Sequence, residues 1–210
     1  PEIDEQLIQN CSHIVAMMGH EPIVNLLKKQ CDVILCGRAS DTALFSALPL
    51  MRGFLPGPVW HCAKTIECGA ICSTSTRADG VFAEIDDNGF SVEPLALDAS
   101  CTPLSLASHT LYENADPYLI REPSGILDTQ NARYQKLSER KTRVEGSVFR
   151  PDRYTLKLEG ATCTGFQTVA IGGVRDPYII ARVDSWLAEM KVFFAERLKE
   201  LTGKTLGKEV

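Results

Sequence analysis

Long apolar runs are missing from this chain. None approaches the roughly 18 consecutive apolar residues that a bilayer-spanning helix requires, so no membrane helix is expected. A basic surplus is missing too: Lys and Arg total 22 against 27 Asp and Glu, giving a formal net charge of −5 and a pI near 5.4. That balance excludes a general nucleic-acid binder, which needs a basic face. The one basic cluster, "SERKTR" (138–143), is short and reads as a solvated turn. No secretory signal pattern is visible, although the first residue is Pro1 instead of methionine, so an upstream region is expected. The sequence also lacks C-x-x-C, G-x-G-x-x-G, Walker and G-x-S-x-G spacings, so neither a nucleotide, nor a nucleophile elbow, nor any particular cofactor is indicated.

What is present is ordinary for a globular protein: 44% hydrophobic and 23% charged residues over 210 positions, enough for one sizeable core or two small ones. Eight cysteines make up about 4% of the chain, well below a disulfide scaffold. They sit in apolar segments such as "VILCG" and "ECGAIC", so all eight are expected to be reduced thiols in a cytoplasmic setting. His61, Cys62, Cys68 and Cys72 lie close in sequence, but no second ligand pair has metal-site spacing. Core packing is the preferred reading, and no metal is expected.

Along the chain, a short polar helical piece ("DEQLIQN") leads into a strand-like run, Ile14 to Met18. "EPIVNLLKKQ" is a helix with Pro22 in its first turn. "DVILC" is a short apolar run of the kind buried on both faces of a sheet. Residues 14–36 therefore predict a strand–helix–strand unit with parallel strands. Helices follow over Asp41–Met51 and over "VWHCAKTIECGAICST", the latter with Gly69 inside it. After position 76 the texture changes to a hairpin around Asn88-Gly89, expected as a type I′ turn. A helix capped by Thr102 follows, running to about Asn114, and then short, largely antiparallel strands. A long closing helix is capped by Asp176, started by Pro177 and stopped by Gly203. Its stripe of Ile180, Val183, Trp186, Leu187, Met190, Phe194, Leu198 and Leu201 is expected to pack on the sheet, and the last seven residues to fray. The fold class is α/β with a mixed sheet: a parallel α/β part over 1–76, then a β-rich part with two helices over 77–210, in the same domain.

Read in order, "VILCGRASDTALFSALPL", "KTIECGAIC", "REPSGILDT", "YTLKLEGA" and "IGGVRDPYIIA" make the sequence resemble the acyclic terpene utilisation (AtuA-like) family over nearly its whole length. The resemblance implies a part in the catabolism of citronellol- and geraniol-type compounds, with a branched acyl carboxylate or its CoA thioester as substrate. Members of that family are usually longer, with a glycine-containing α/β portion ahead of Ile14. The resemblance therefore implies that this chain is the later part of the domain, that the upstream region of the same protein is its partner, and that a site here is half of one. It assigns no catalytic residue.

The residues themselves offer four candidate sites. Gly37-Arg38-Ala39-Ser40-Asp41 follows a strand-like run and opens a helix, where free amides and a guanidinium suit an anion. The alternative is a structural clamp between Arg38 and Asp41 or another carboxylate, with Ser40 or Asp41 as the cap. Lys64 and Glu67, three apart beside His61, are candidates for moving a proton, or else a surface salt bridge. Glu122 and Asp128 flank the turn "EPSGILD" with Ser124 and Gly125, and ordinary turn chemistry is the competing account. Gly172-Gly173-Val174-Arg175-Asp176 is a second helix opening, with Arg175 as an anion contact. His13, His20 and His109 are scattered singles and read as structural.

The leading function is an enzyme, or the later part of one, acting on a small anionic metabolite. Arg38 and Arg175 hold the anionic group, and Lys64 or Glu67 moves the proton. The rival is a non-catalytic module that binds a partner chain through an exposed edge or through the surface its missing half would cover; a homo-oligomer is a further partner expectation. A perturbed titratable group facing a pocket favours the first, and a broad apolar face without converging polar groups favours the second.

Overall fold

The computed structural model describes residues 3–75, 79–112, 114–167, 169 and 171–203. The expected change of texture at 76/77 and the expected fraying of 204–210 lie outside the described residues. The chain divides into two compact units, Pro1–Cys163 and Thr164–Val210.

The first unit begins with α1 (Glu5–Gln9), β1 (His13–Met17), α2 (Glu21–Lys28), α3 (Asp41–Met51) and α4 (Pro56–Ile66). It continues with β2 (Val81–Ile85), β3 (Gly89–Pro94), α5 (Pro103–His109), β4 (Leu119–Glu122), β5 (Gly125–Asp128), β6 (Arg133–Lys136), β7 (Thr142–Glu145), β8 (Val148–Pro151) and β9 (Lys157–Ala161). Among the described residues these strands form three antiparallel sheets, ordered β1-β9, β2-β3-β7-β6 and β4-β5-β8. At the centre lies α4, buried along almost its whole length from Gly57 to Thr65, with contacts to α3, β2, β3, β5 and β8. A helix that is apolar over most of its surface belongs inside, and α4 carries the core of the unit while its last turn is polar. Cys62 joins Phe90, Val92 and Val144 on one side; Trp60 joins Ile120 and Leu127 on the other, stacked on Phe149 at 5.3 Å.

The parallel strand–helix–strand unit is overturned. β1 pairs antiparallel with β9, Val15 opposite Glu159, and "DVILC" forms no strand. A run buried on both faces needs cover on both. Here Ile34 and Cys36 pack against Ile23, Ala43 and Ala47, while Val33 and Leu35 are 84% and 96% exposed. One parallel bridge, Met18 with Ala39, is the remnant of the expected pairing.

Three boundaries shift for local reasons. The helix through Lys64 ends at Ile66, and Gly69, at φ +58°, opens a separate 3₁₀ turn over Gly69–Cys72. The hairpin turn is not type I′, since neither Asn88 nor Gly89 has positive φ. Asp86 Oδ1 instead accepts from the amides of Asn88 and Gly89, at 2.9 and 3.1 Å. Gly89 is required by a neighbour: a Cβ there would meet the Val144 carbonyl oxygen at 2.1 Å. The helix after Thr102 stops at His109, short of Asn114.

The second unit holds α6 (Pro177–Ile180) and α7 (Val183–Thr202). Asp176 caps α6 by accepting from the Tyr178 and Ile179 amides, and Gly203 ends α7 at φ +70°. The expected single helix is thus broken at Ala181–Arg182, and no residue of α7 is buried, so its apolar stripe is uncovered within its own unit. Among the described residues, no helix is long and apolar enough to cross a membrane.

Candidate functional site

The end of β1 sets the position of the segment before α3. The Met18 amide donates to the Arg38 carbonyl at 3.1 Å and the Ser40 amide to the Met18 carbonyl at 2.9 Å. This brings Arg38, Ser40, Asp41 and Thr42 to the wall of a cavity of about 790 Å³. The last turn of α4 contributes Lys64, and its C-cap contributes Glu67. β4 contributes Ile120, Arg121 and Glu122, followed by Pro123; Thr155 to Lys157 and Glu159 close the far side, with Met17 and Asn114. The volume suits a small-molecule ligand.

The floor is a set of hydrogen bonds. Lys64 Nζ donates to Glu67 Oε1 at 2.5 Å, and Thr42 Oγ1 donates to Glu67 Oε2 at 2.7 Å. Ser40 Oγ donates to Glu122 Oε2 at 3.1 Å. Glu122 is only 6% exposed. Burial pushes its carboxyl up to about 7, against the hydrogen bonds of Thr42 and Ser40 and the charge of Lys64, with the Glu67 carboxylate pushing the same way as burial. Glu122 is therefore the group whose titration falls in the neutral range.

The rim is charged and already paired. Arg38 Nε and Nη2 donate to the two carboxylate oxygens of Glu159 at 3.0 and 3.2 Å, and Nη1 lies 3.7 Å from Asp41 Oδ1. The Glu159 pairing raises the Arg38 pKa and lowers that of Glu159. Arg121 pairs with Asp152, and Lys157 lies 3.7 Å from Glu159.

Of the residues singled out from sequence, Arg38, Ser40, Asp41, Lys64, Glu67 and Glu122 share this cavity. Gly37 adjoins it but is not required to be glycine: its φ is not positive, and a Cβ there would meet nothing within 4 Å. Asp128 is elsewhere, buried, accepting from Arg150 and from the Gln130 amide. Arg175 belongs to the other unit, one residue before the cap of α6. His61 turns away into the core, its Nδ1 2.5 Å from Ser147 Oγ, and burial pushes its pKa down to about 4. Among the described residues, no group of three or more His, Cys, Asp or Glu side chains is placed to hold a metal ion.

Sequence reasoning missed Thr42, Asn114, Arg121, Lys157 and Glu159. Thr42 had a faint signal, a third polar residue in a row at the start of an otherwise apolar helix.

Residues 3–209 match the family described as "Acyclic terpene utilisation family protein AtuA". The chain belongs to this family. Among the curated proteins and the solved structures nothing matches it. Four of the sequence blocks that resemble the AtuA family converge on the cavity: 13 of its 16 lining residues come from "VILCGRASDTALFSALPL", "KTIECGAIC", "REPSGILDT" and "YTLKLEGA".

Proposed function

We propose that this AtuA-family chain is an enzyme, or the later part of one, that binds a small anionic metabolite in the cavity and moves a proton with Glu122. The family ties the chain to acyclic terpene utilisation, and a branched acyl carboxylate or its CoA thioester is the substrate class. One observation carries the reading. A carboxyl that is 6% exposed, faces a cavity of about 790 Å³ and titrates at about 7 can take or give a proton near neutral pH. Lys64 and Glu67 flank it and set its field; Arg38 and Lys157 supply positive charge at the rim for an incoming anion. The apolar patches are few: Met17, Ile120, Pro123 and Leu156 leave room for a short branched chain beside a polar head.

Thermal shift of the chain with short branched carboxylic acids and acyl-CoA esters tests this reading. A concentration-dependent rise in melting temperature with at least one class, weakened in Glu122→Gln, supports it. No rise with either class sinks it.

The second reading, a module that docks on its upstream region, draws on Val33 and Leu35, which stand exposed, and on β1, which pairs with β9 alone in its two-stranded sheet among the described residues. Slower amide exchange at 33–36 when the upstream region is present would favour it.

A further inference from the structure

Two amines line the cavity, Lys64 and Lys157. Lys157 stands at the rim with a side chain 72% exposed, 3.7 Å from Glu159, and that carboxylate is already gripped by two nitrogens of Arg38. Lys64 is sheltered. Its side chain is 16% exposed, that of Glu67 is 6% exposed, and the two meet at 2.5 Å. On an exposed helix face an i, i+3 pair is an ordinary surface salt bridge. This pair instead ends a buried helix and opens onto the cavity wall.

Both oxygens of Glu67 are committed. Oε1 accepts from Lys64 Nζ, and Oε2 accepts from Thr42 Oγ1 at 2.7 Å, across the contact between α3 and α4. The carboxylate is thus held in one orientation, with Oε1 against the amine. A nucleophile, a base within hydrogen-bond reach and a third group that orients the base form the arrangement that activates a side chain for covalent chemistry. Lys64, Glu67 and Thr42 fill those three places. A second carboxyl, Glu122, lines the same cavity and is held by Ser40 Oγ at 3.1 Å.

We propose that Lys64 forms a Schiff base with a carbonyl substrate, and that the ligand is a short oxo acid whose ketone or aldehyde carbon meets Nζ while its carboxylate faces the cations of the rim. The inference rests on the cavity being the substrate site. Glu67 takes a proton from the Lys64 ammonium and frees the amine. The nitrogen lone pair attacks the carbonyl carbon, a C–N bond forms, and the C=O pair moves to oxygen. Glu67 and Glu122 relay protons to that oxygen, the C–O bond breaks, and water leaves. Two of the three ammonium protons depart in that water and the third stays on the iminium nitrogen, so both carboxyls end as they began and no oxidant or reductant is used. The iminium keeps the single positive charge that Lys64 already carries opposite Glu67. It also draws electrons from the neighbouring carbon. Glu122, as the carboxylate, then takes a proton from that carbon; the C–H pair becomes a C=C bond and the C=N pair moves to nitrogen, giving an enamine.

The test incubates the full chain with 4-methyl-2-oxopentanoate and, separately, with 4-oxopentanoate, in the presence of sodium cyanoborohydride, which reduces an iminium to a stable secondary amine. The trapped lysine gains the mass of the oxo acid less one oxygen atom. Peptide mapping is expected to place the adduct on Lys64 at about tenfold the level of any other lysine, because the cavity holds the carbonyl against the amine. Labelling of Lys64 should saturate with oxo acid and should fall when 4-methylpentanoate, which has the chain and the carboxylate but no carbonyl, competes for the cavity. Lys64→Arg keeps a cation against Glu67 and should lose the adduct. No adduct at Lys64 with either probe overturns the proposal, as does label spread evenly over the lysines, or label that rises without saturation. A folded Lys64→Arg chain labelled as fully as the wild type overturns it too. If Lys64→Arg does not fold, the wild-type peptide map decides alone. A thermal shift with branched carboxylic acids but no adduct leaves the enzyme reading standing without the Schiff base, and an adduct at Lys64 without any such shift does the reverse.

Discussion

Ser40 Oγ donates to Glu122 Oε2 at 3.1 Å, joining residues 82 apart in sequence, and so does not cap the helix that Ser40 begins. A serine at an N-cap position ordinarily accepts from its own helix. Here the hydroxyl is turned outward as a donor, and the first turn of α3 faces the cavity without that cap. The bond that matters to Ser40 lies in the site, not in the helix.

Ser40→Ala should therefore behave unlike a lost cap. Ser40 donates to the ionised form of Glu122, so its removal should raise the Glu122 titration midpoint. At pH 5, where Glu122 is protonated, unfolding in urea should show a smaller loss than the roughly 1 kcal/mol typical of a deleted N-cap. A full cap-sized loss at pH 5 would show that Ser40 serves α3 after all.

Glu122 itself should limit stability at alkaline pH. Its folded-state pKa of about 7 lies above the ordinary 4.5. A raised carboxyl gives stability that is fully present below pH 4.5 and is lost as pH rises through 7. The loss is on the order of 3 kcal/mol, from the free-energy equivalent of one pKa unit. Glu122→Gln should thus be more stable than wild type at pH 8 and about equal to it at pH 4, while losing ligand response. Denaturant midpoints at the two pH values check this, and equal destabilisation at both would mean that the glutamine simply fits badly.

Gly57 fixes how α4 carries its polar end into the site. A Cβ at this position would meet the Ser147 carbonyl oxygen at 2.3 Å, a backbone atom that cannot swing aside. Gly57→Ala should cost about 1–3 kcal/mol, the scale of overpacking in a filled core, although alanine is the better helix former. A gain in stability on urea unfolding would show that the two segments separate easily.

The thiols divide by burial. Burial pushes Cys62 up to about 12; Cys72 is also raised, by its hydrogen bond with Cys101 and by burial. Cys62, Cys72 and Cys101 are all buried, whereas Cys31 is exposed. Maleimide at pH 7 should label Cys31 in the native chain within minutes and reach the three core thiols only after unfolding. Native labelling of Cys62, read by mass spectrometry, would mean that the core opens around α4.

Much of this was legible locally. Thr102-Pro103, Asp176-Pro177 and Gly203 mark helix ends because caps and fixed φ act within a few residues. Arg38 stood out at a helix opening, Lys64 and Glu67 as polar residues in an otherwise apolar segment, and Glu122 in a polar turn, and the cavity collects all four. What stayed hidden was long-range pairing. Nothing in "HIVAM" names β9 as its partner, so neither its antiparallel sense nor the arrival of Glu159 beside Arg38 could be read. "DVILC" was misread for the same reason: burial on both faces is a property of the neighbours, and those neighbours cover one face only.

The pairing of β1 with β9 decides what Arg38 can do. It places Glu159 opposite Val15 and across two hydrogen bonds from the guanidinium, while Asp41 holds the third arm. An arginine so engaged offers an anion less than a free one would, and an incoming carboxylate must compete with Glu159 for the same fork. The two partners should therefore act with opposite signs. Arg38→Met keeps much of the stem and removes the charge, so it should weaken binding of 3-methylbutanoate or a similar branched carboxylate. Glu159→Gln frees the guanidinium and removes a repelling charge from the mouth, so it should strengthen the same binding, each by about fivefold at low salt and by less as salt rises. Arg38 is exposed and Glu159 partly so, and the pair is open to solvent screening, so neither change should move the urea midpoint appreciably. Calorimetric titration of both variants separates the alternatives. If both weaken binding alike and both lower stability, Arg38 and Glu159 form a clamp between α3 and β9, and the anion is held deeper, by Lys64.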